Sequence, residues 1–125
     1  MSNSCACVYV DVDCDGPELY TVTKPRARKP HKCGECGREI KLSEKYENVV
    51  GLWGGRFNIH KTCSVCLDIR SVFFCEGWFF GEVLEYFEEH IREMHGHISE
   101  DCLAELTAEA REMVSEIIEE YWEEK

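Results

Sequence analysis

Along the C-terminal third of the chain, Phe80, Val83, Leu84, Phe87, Ile91 and Met94 fall at steps of three and four. That spacing gathers them on one side of a helix, which starts near Phe79 and ends at Gly96. Ser99 is an N-cap for a short helix over 100–105. Thr107 caps a last helix, where Ala110, Met113, Val114, Ile117, Ile118 and Tyr121 form one apolar stripe. Closer to the N-terminus the period is two. Residues 5–12, rich in β-branched and aromatic side chains, read as a strand, and 13–17 as a turn. Residues 20–23 make a second short strand. Arms at 45–52 and 56–60, closed near Gly54-Gly55, make a hairpin. A helix over 64–74 follows, interrupted at Glu76-Gly77.

Four cysteines punctuate this pattern. Two residues lie between Cys33 and Cys36, and two between Cys63 and Cys66, and 26 residues separate the pairs. Two intervening residues let both thiolates of a pair face one ion across a tight turn, and two pairs complete a tetrahedral sulfur shell. The spacing predicts one structural Zn2+ with no open position for water. It therefore supplies folding energy and not Lewis acidity. His60 is an alternative ligand, because His60-Lys61-Thr62-Cys63 also offers a His-x-x-Cys pair. In the four-cysteine shell His60 is an exposed residue ending the hairpin. Cys5, Cys7 and Cys14 could hold a second metal or simply pack as small residues. Cys75 and Cys102 read as buried thiols.

The expected fold is α+β: a small treble-clef or zinc-ribbon-like module of hairpin plus helix, followed by two amphipathic helices packed as an antiparallel pair. Residues 1–76 form the N-terminal strand and zinc module. Residues 77–125 form an acidic helical region packed on it, so that 125 residues make one compact unit.

Charge divides the same way. The net formal charge is −11, yet residues 24–45 hold eight Lys/Arg against three Glu, and 78–125 hold fifteen Asp/Glu against three Lys/Arg. Lys24, Arg26, Arg28, Lys29 and Lys32 form a basic stretch for nucleic acid, or else a solvated connection, since no aromatic is interleaved and the net charge opposes a polyanion. Glu109, Glu112, Glu116, Glu119 and Glu120 on the last helix could meet a basic partner, imitating a nucleic acid's charge, or serve as a solvated face. The aromatic run from Phe73 to Phe80 is core or a partner patch. His90, His95 and His97 suit a helix C-terminus.

No apolar run of about 18 residues is present, which excludes a spanning helix, and the N-terminus lacks a signal-peptide pattern. A reducing cytoplasm is expected, and an odd count of nine cysteines there points to metal binding and free thiols. No nucleophile, acid–base pair or phosphate loop appears, so a non-enzymatic role is expected.

The run Ala27-Arg28-Lys29-Pro30-His31-Lys32-Cys33-Gly34-Glu35-Cys36-Gly37-Arg38, with Gly51-Leu52-Trp53-Gly54-Gly55, Lys61-Thr62-Cys63-Ser64-Val65-Cys66 and the aromatic run through Gly81, resembles small, mostly uncharacterised zinc proteins of bacteriophages and prophages. The resemblance covers roughly 5–95. It implies a treble-clef or zinc-ribbon core, the four cysteine ligands and a bacterial host, and supplies no activity. The sequence thus points to an interaction protein that binds a host or phage protein through its acidic helices, in the manner of an inhibitor of a defence or transcription complex. The alternative is a nucleic-acid-binding zinc module. A homodimer through the last apolar stripe is a further expectation.

Overall fold

The computed structural model describes Val8 and residues 19–74 and 77–124. The strand expected over 5–12, apart from Val8, lies outside the described residues, as do the 13–17 turn and Cys5, Cys7, Cys14 and Cys75.

Three antiparallel strands form the main sheet. They are β1 (Leu19–Thr23), β4 (Tyr46–Trp53) and β5 (Arg56–Cys63), in the order β1-β4-β5. Two short strands between them, β2 (His31–Lys32) and β3 (Glu39–Ile40), pair as a separate ribbon that carries the first cysteine pair in its loop. The hairpin turns at Gly54 and Gly55, both at positive φ, which glycine tolerates without a Cβ clash. Its second arm runs on to Cys63, three residues past the expected end.

Four helices follow: α1 (Ser64–Phe73), α2 (Val83–Glu93), α3 (Glu100–Ala104) and α4 (Ala108–Glu123). Ser99 accepts a hydrogen bond from the Asp101 amide and Thr107 one from the Ala110 amide, so both expected caps are in place. The start of α2 differs from expectation. Gly81 sits at φ +87°, a conformation that halts a right-handed helix, so Phe79 and Phe80 stay outside it. Phe80 stacks instead on His60, with ring centroids 4.5 Å apart.

One core joins the two regions. Ile40 of β3, Cys63 of β5, Ile69 and Phe73 of α1, Phe87 of α2 and Val114 of α4 belong to a single buried cluster. Each such large side chain contributes roughly 1.5–3 kcal/mol by leaving water. Phe73 and Phe87 meet at 4.8 Å across the α1–α2 contact. Val8 adds to the cluster, and its amide donates to the Phe73 carbonyl at 2.7 Å.

The helical layer is not the antiparallel pair expected. The C-terminal ends of α2 and α4 meet. Gly96, just past α2, lies so close to Tyr121 and Trp122 that a Cβ there would approach both rings within 3 Å, and His97 packs edge-on to Trp122. The short α3 takes up the return of the chain, so α4 starts again beside α1, where the Thr107 amide donates to Asp68 Oδ2 at 2.6 Å. Among the described residues, no helix is long and apolar enough to cross a membrane.

Candidate metal centre

The first cysteine pair sits on a loop held by its own backbone. The Cys33 amide donates to the Arg38 carbonyl at 2.9 Å and the Gly37 amide to the Cys33 carbonyl at 3.0 Å. Gly37 has φ +80°, so a side chain there would strain the turn. Arg38 pairs with Glu44 across the ribbon, and Glu44 Oε1 also receives the Lys41 amide at 2.9 Å. The second pair comes from the end of β5 and the first turn of α1. Cys63 is the α1 N-cap residue and Cys66 lies one turn in. Partial positive charge at that helix end favours thiolate there. The Gly34 amide, donating to the Lys61 carbonyl at 2.8 Å, fastens the loop to β5.

All four sulfurs lie within 4.8 Å of one another. Cys33 Sγ is 3.9 Å from Cys66 Sγ, and Cys36 Sγ is 3.8 Å from Cys63 Sγ. A regular tetrahedron with about 2.3 Å metal–sulfur bonds has sulfur–sulfur edges of about 3.8 Å. The sulfurs are therefore already spaced for zinc. Cys33, Cys63 and Cys66 are buried and Cys36 is half-buried, so solvent has little access to the centre. The amides of Glu35 and Cys63 point at Cys33 Sγ, at 3.3 and 3.4 Å, and such donors stabilise sulfur's negative charge.

The charge balance of the sulfurs also fits a cation. Hydrogen bonds from Cys63 and Cys66 hold the Cys33 thiol far below its ordinary range. As the matching donor, Cys66 is pushed up. Burial pushes Cys36 up to about 11. A dication bound among them would displace the protons that the raised thiols retain. The four cysteines would then hold the metal in a closed shell, with no position for substrate.

His60 does not join them. In an extended strand, residues three apart point to opposite faces. Cys63 turns toward the β2–β3 loop, and His60 turns to the other face, between Phe80 and Trp53. There burial lowers its pKa. It is half-buried in an aromatic cluster and is not the exposed hairpin terminus expected.

One residue with a role in the site escaped sequence reasoning. Glu35, between the first two cysteines, accepts the Gly81 amide at 2.8 Å and the Val83 amide at 3.0 Å. Burial raises its pKa, against the pull of those two amides. Nothing in a Cys-Gly-Glu-Cys run marks the glutamate, since its partners lie more than 45 residues downstream.

The other expected residues are scattered. Lys24, Arg26, Arg28, Lys29 and Lys32 are all exposed, on a connection pinned by buried Ala27, whose amide donates to the Glu44 carbonyl. Glu109, Glu112, Glu116, Glu119 and Glu120 are exposed along α4. Both ion pairs found among the described residues lie elsewhere, between Arg38 and Glu44 and between Arg70 and Glu47. His90 is buried in α2 beside Phe87 and does not cap the helix as an exposed cation. Cys102 is buried and disulfide-bonded, not the free thiol expected. Trp78, Phe79 and Phe80 are half-buried, and Trp78 carries the Arg70 guanidinium 4.1 Å from its ring centroid.

Comparison with known proteins adds no relative: no family model, no curated protein and no solved structure matches the chain.

Proposed function

We propose that the protein is a non-enzymatic interaction protein, stapled by one structural Zn2+ and binding a protein partner through its acidic helices. The supporting observation is the row of exposed α4 carboxylates, none of which has a Lys, Arg or His nitrogen within 4 Å among the described residues. Glu88 of α2 joins Glu120 and Glu124 of α4 around one shallow groove that Arg92 also lines, so acids from both helices share a surface in excess over its one cation. A surface with a large excess of one sign attracts a basic cleft and steers its approach. The cysteine geometry supports zinc and a treble-clef-like module, in which the β2–β3 loop and the start of α1 supply two ligands each. The resemblance to phage zinc proteins supports action in the cytoplasm of a bacterial host, on a defence or transcription complex.

The test compares the full chain with a Glu112→Lys, Glu116→Lys, Glu119→Lys variant in affinity capture from bacterial lysate, at low and high salt. The reading predicts a basic partner that the native chain retains, that the variant loses, and that salt releases. A partner kept equally by both chains, or held regardless of salt, overturns it.

The five exposed cations of 24–32 favour one other reading, a nucleic-acid-binding zinc module. Binding of a labelled duplex that weakens steeply with salt and with Arg28→Glu, Lys29→Glu would support it.

A further inference from the structure

The main sheet has two faces, fixed by its register. Leu19, Leu52 and Phe57 lie side by side across the three strands, and so do Thr21, Val50 and Ile59. These two rows share one face. Val22, Val49 and His60 share the opposite face, where His60 meets Trp53 and Phe80. Among the described residues, the first face has no such cover near the hairpin tip. Leu19 is 60%, Phe57 67% and Ile59 59% exposed, with Val50 and Leu52 half-buried between them. A neighbouring cluster of this kind on a soluble chain marks a contact surface more often than scattered single residues do.

Charge decides what fits there. The three strands carry one carboxylate, Glu47, which is buried and paired with Arg70 at 2.8 Å. Among the described strand residues the exposed face has none, in a chain with 25 Asp/Glu. Among the described strand residues it carries one cation, Lys61. At the zinc end Lys61 Nζ lies 3.0 Å from Asn48 Oδ1 and 5.9 Å from the Tyr46 ring centroid, with His31 5.2 Å from the same ring. Exposed Arg56 at the hairpin turn pairs with Trp53 and belongs to the opposite face.

We infer that this sheet face is a second docking surface, opposite in sign to the helices, which takes an acidic, apolar-rich peptide segment of another protein. Aliphatic side chains of the segment cover Leu19, Leu52, Phe57 and Ile59, and a carboxylate next to them reaches Lys61. A second copy of this chain in face-to-face contact would bring cation against cation. A single-stranded nucleic acid would find one aromatic platform, Phe57, where base stacking needs several.

The test uses the full, zinc-loaded chain. The probe is a labelled peptide of about twelve residues alternating Val or Ile with Glu. Controls are the same peptide with Lys for Glu, and a single-stranded oligothymidine. Anisotropy measures affinity and amide chemical shifts locate the site. The Glu peptide binds and shifts Leu19, Leu52 and Ile59. Ile59→Glu weakens it at least about tenfold with an unchanged fold, since that side chain is exposed, and Glu116→Lys leaves it unaffected. That last control separates this surface from the α4 reading. No binding of the Glu peptide, equal binding of the Lys peptide, or shifts confined to α4 overturn the inference. So do tighter binding of the oligothymidine at this face, and self-association of the chain that Ile59→Glu abolishes.

Discussion

The carboxylate of Glu35 accepts the backbone amide of Val83, the first residue of α2, at 3.0 Å, and its other oxygen accepts the Gly81 amide at 2.8 Å. Glu35 stands between two of the four clustered cysteines. The metal loop and the start of an acidic helix are therefore joined through one side chain. Opposite it, Asp68, two residues past Cys66, accepts the Thr107 amide ahead of α4. Both long helices of the acidic layer thus begin on carboxylates that the cysteine-bearing module positions, and negative charge at a helix N-terminus also meets its dipole favourably.

Glu35→Ala removes two acceptors from amides that α2 cannot satisfy internally. The expected cost is about 1–2 kcal/mol, the scale of losing a cap, read as a lower denaturation midpoint. Amide exchange should quicken at 83–86, while zinc content stays at about one per chain. Unchanged exchange at the start of α2 would show that the contact carries no weight.

The ligand set has its own test. Cys66→Ser removes a sulfur from the closed shell and should lower zinc affinity by orders of magnitude, with loss of stability that added zinc only partly restores. His60→Ala should leave zinc content and the cobalt-substituted thiolate spectrum unchanged. It should still cost about 1 kcal/mol through lost stacking on Phe80 and Trp53. A His60→Ala chain that loses its metal contradicts the strand-parity argument.

The Cys-x-x-Cys pairs are local, so their spacing specified the shell directly. The choice between His60 and Cys66 turned on whether the chain stays extended from residue 60 to 63, and a His-x-x-Cys spacing serves a turn as well as a strand. Phe80 kept the helical period, yet a positive φ at Gly81 put it outside the helix, and no periodicity reports that angle. The relative direction of α2 and α4 was beyond sequence reasoning for another reason. Their stripes are apolar in either orientation, and the direction follows from where α3 returns the chain beside Asp68. The uncovered sheet face was equally hidden, because alternation in β4 and β5 shows that two faces exist but not which one is capped.

Buried His90 gives a pH dependence with a definite sign. Burial lowers its pKa below the ordinary 6.5, with Glu93 nearby pulling the other way. The folded state therefore holds the neutral ring, and the unfolded chain protonates first. Stability is full above about pH 6.5 and declines as pH falls through and below that value. Unfolding midpoints measured in steps from pH 8 to 5.5 should drop more steeply for the native chain than for His90→Leu, with zinc held in excess for both. Equal slopes would remove His90 as the source.

Glu47 and Arg70 form the other buried device. Their 2.8 Å ion pair lies against Trp78, with Glu47 Oε1 and Arg70 Nη1 lacking a partner among the described residues. Desolvating both charges offsets much of their attraction, so the pair's net stabilisation is small. Removing one partner is different. Arg70→Ala leaves a carboxylate in the interior and strips the guanidinium from the Trp78 face, for an expected loss of roughly 3–5 kcal/mol. Arg70→Lys keeps the charge but neither the planar stack nor the fork geometry, and should recover only part of that loss. The double variant Glu47→Leu, Arg70→Met removes both charges and should be close to native in stability, because apolar groups of similar volume replace a costly pair. A thermodynamic cycle over these variants checks the ranking. If the double variant is as unstable as Arg70→Ala, the pair itself, and not the orphaned charge, is what holds α1 to the sheet.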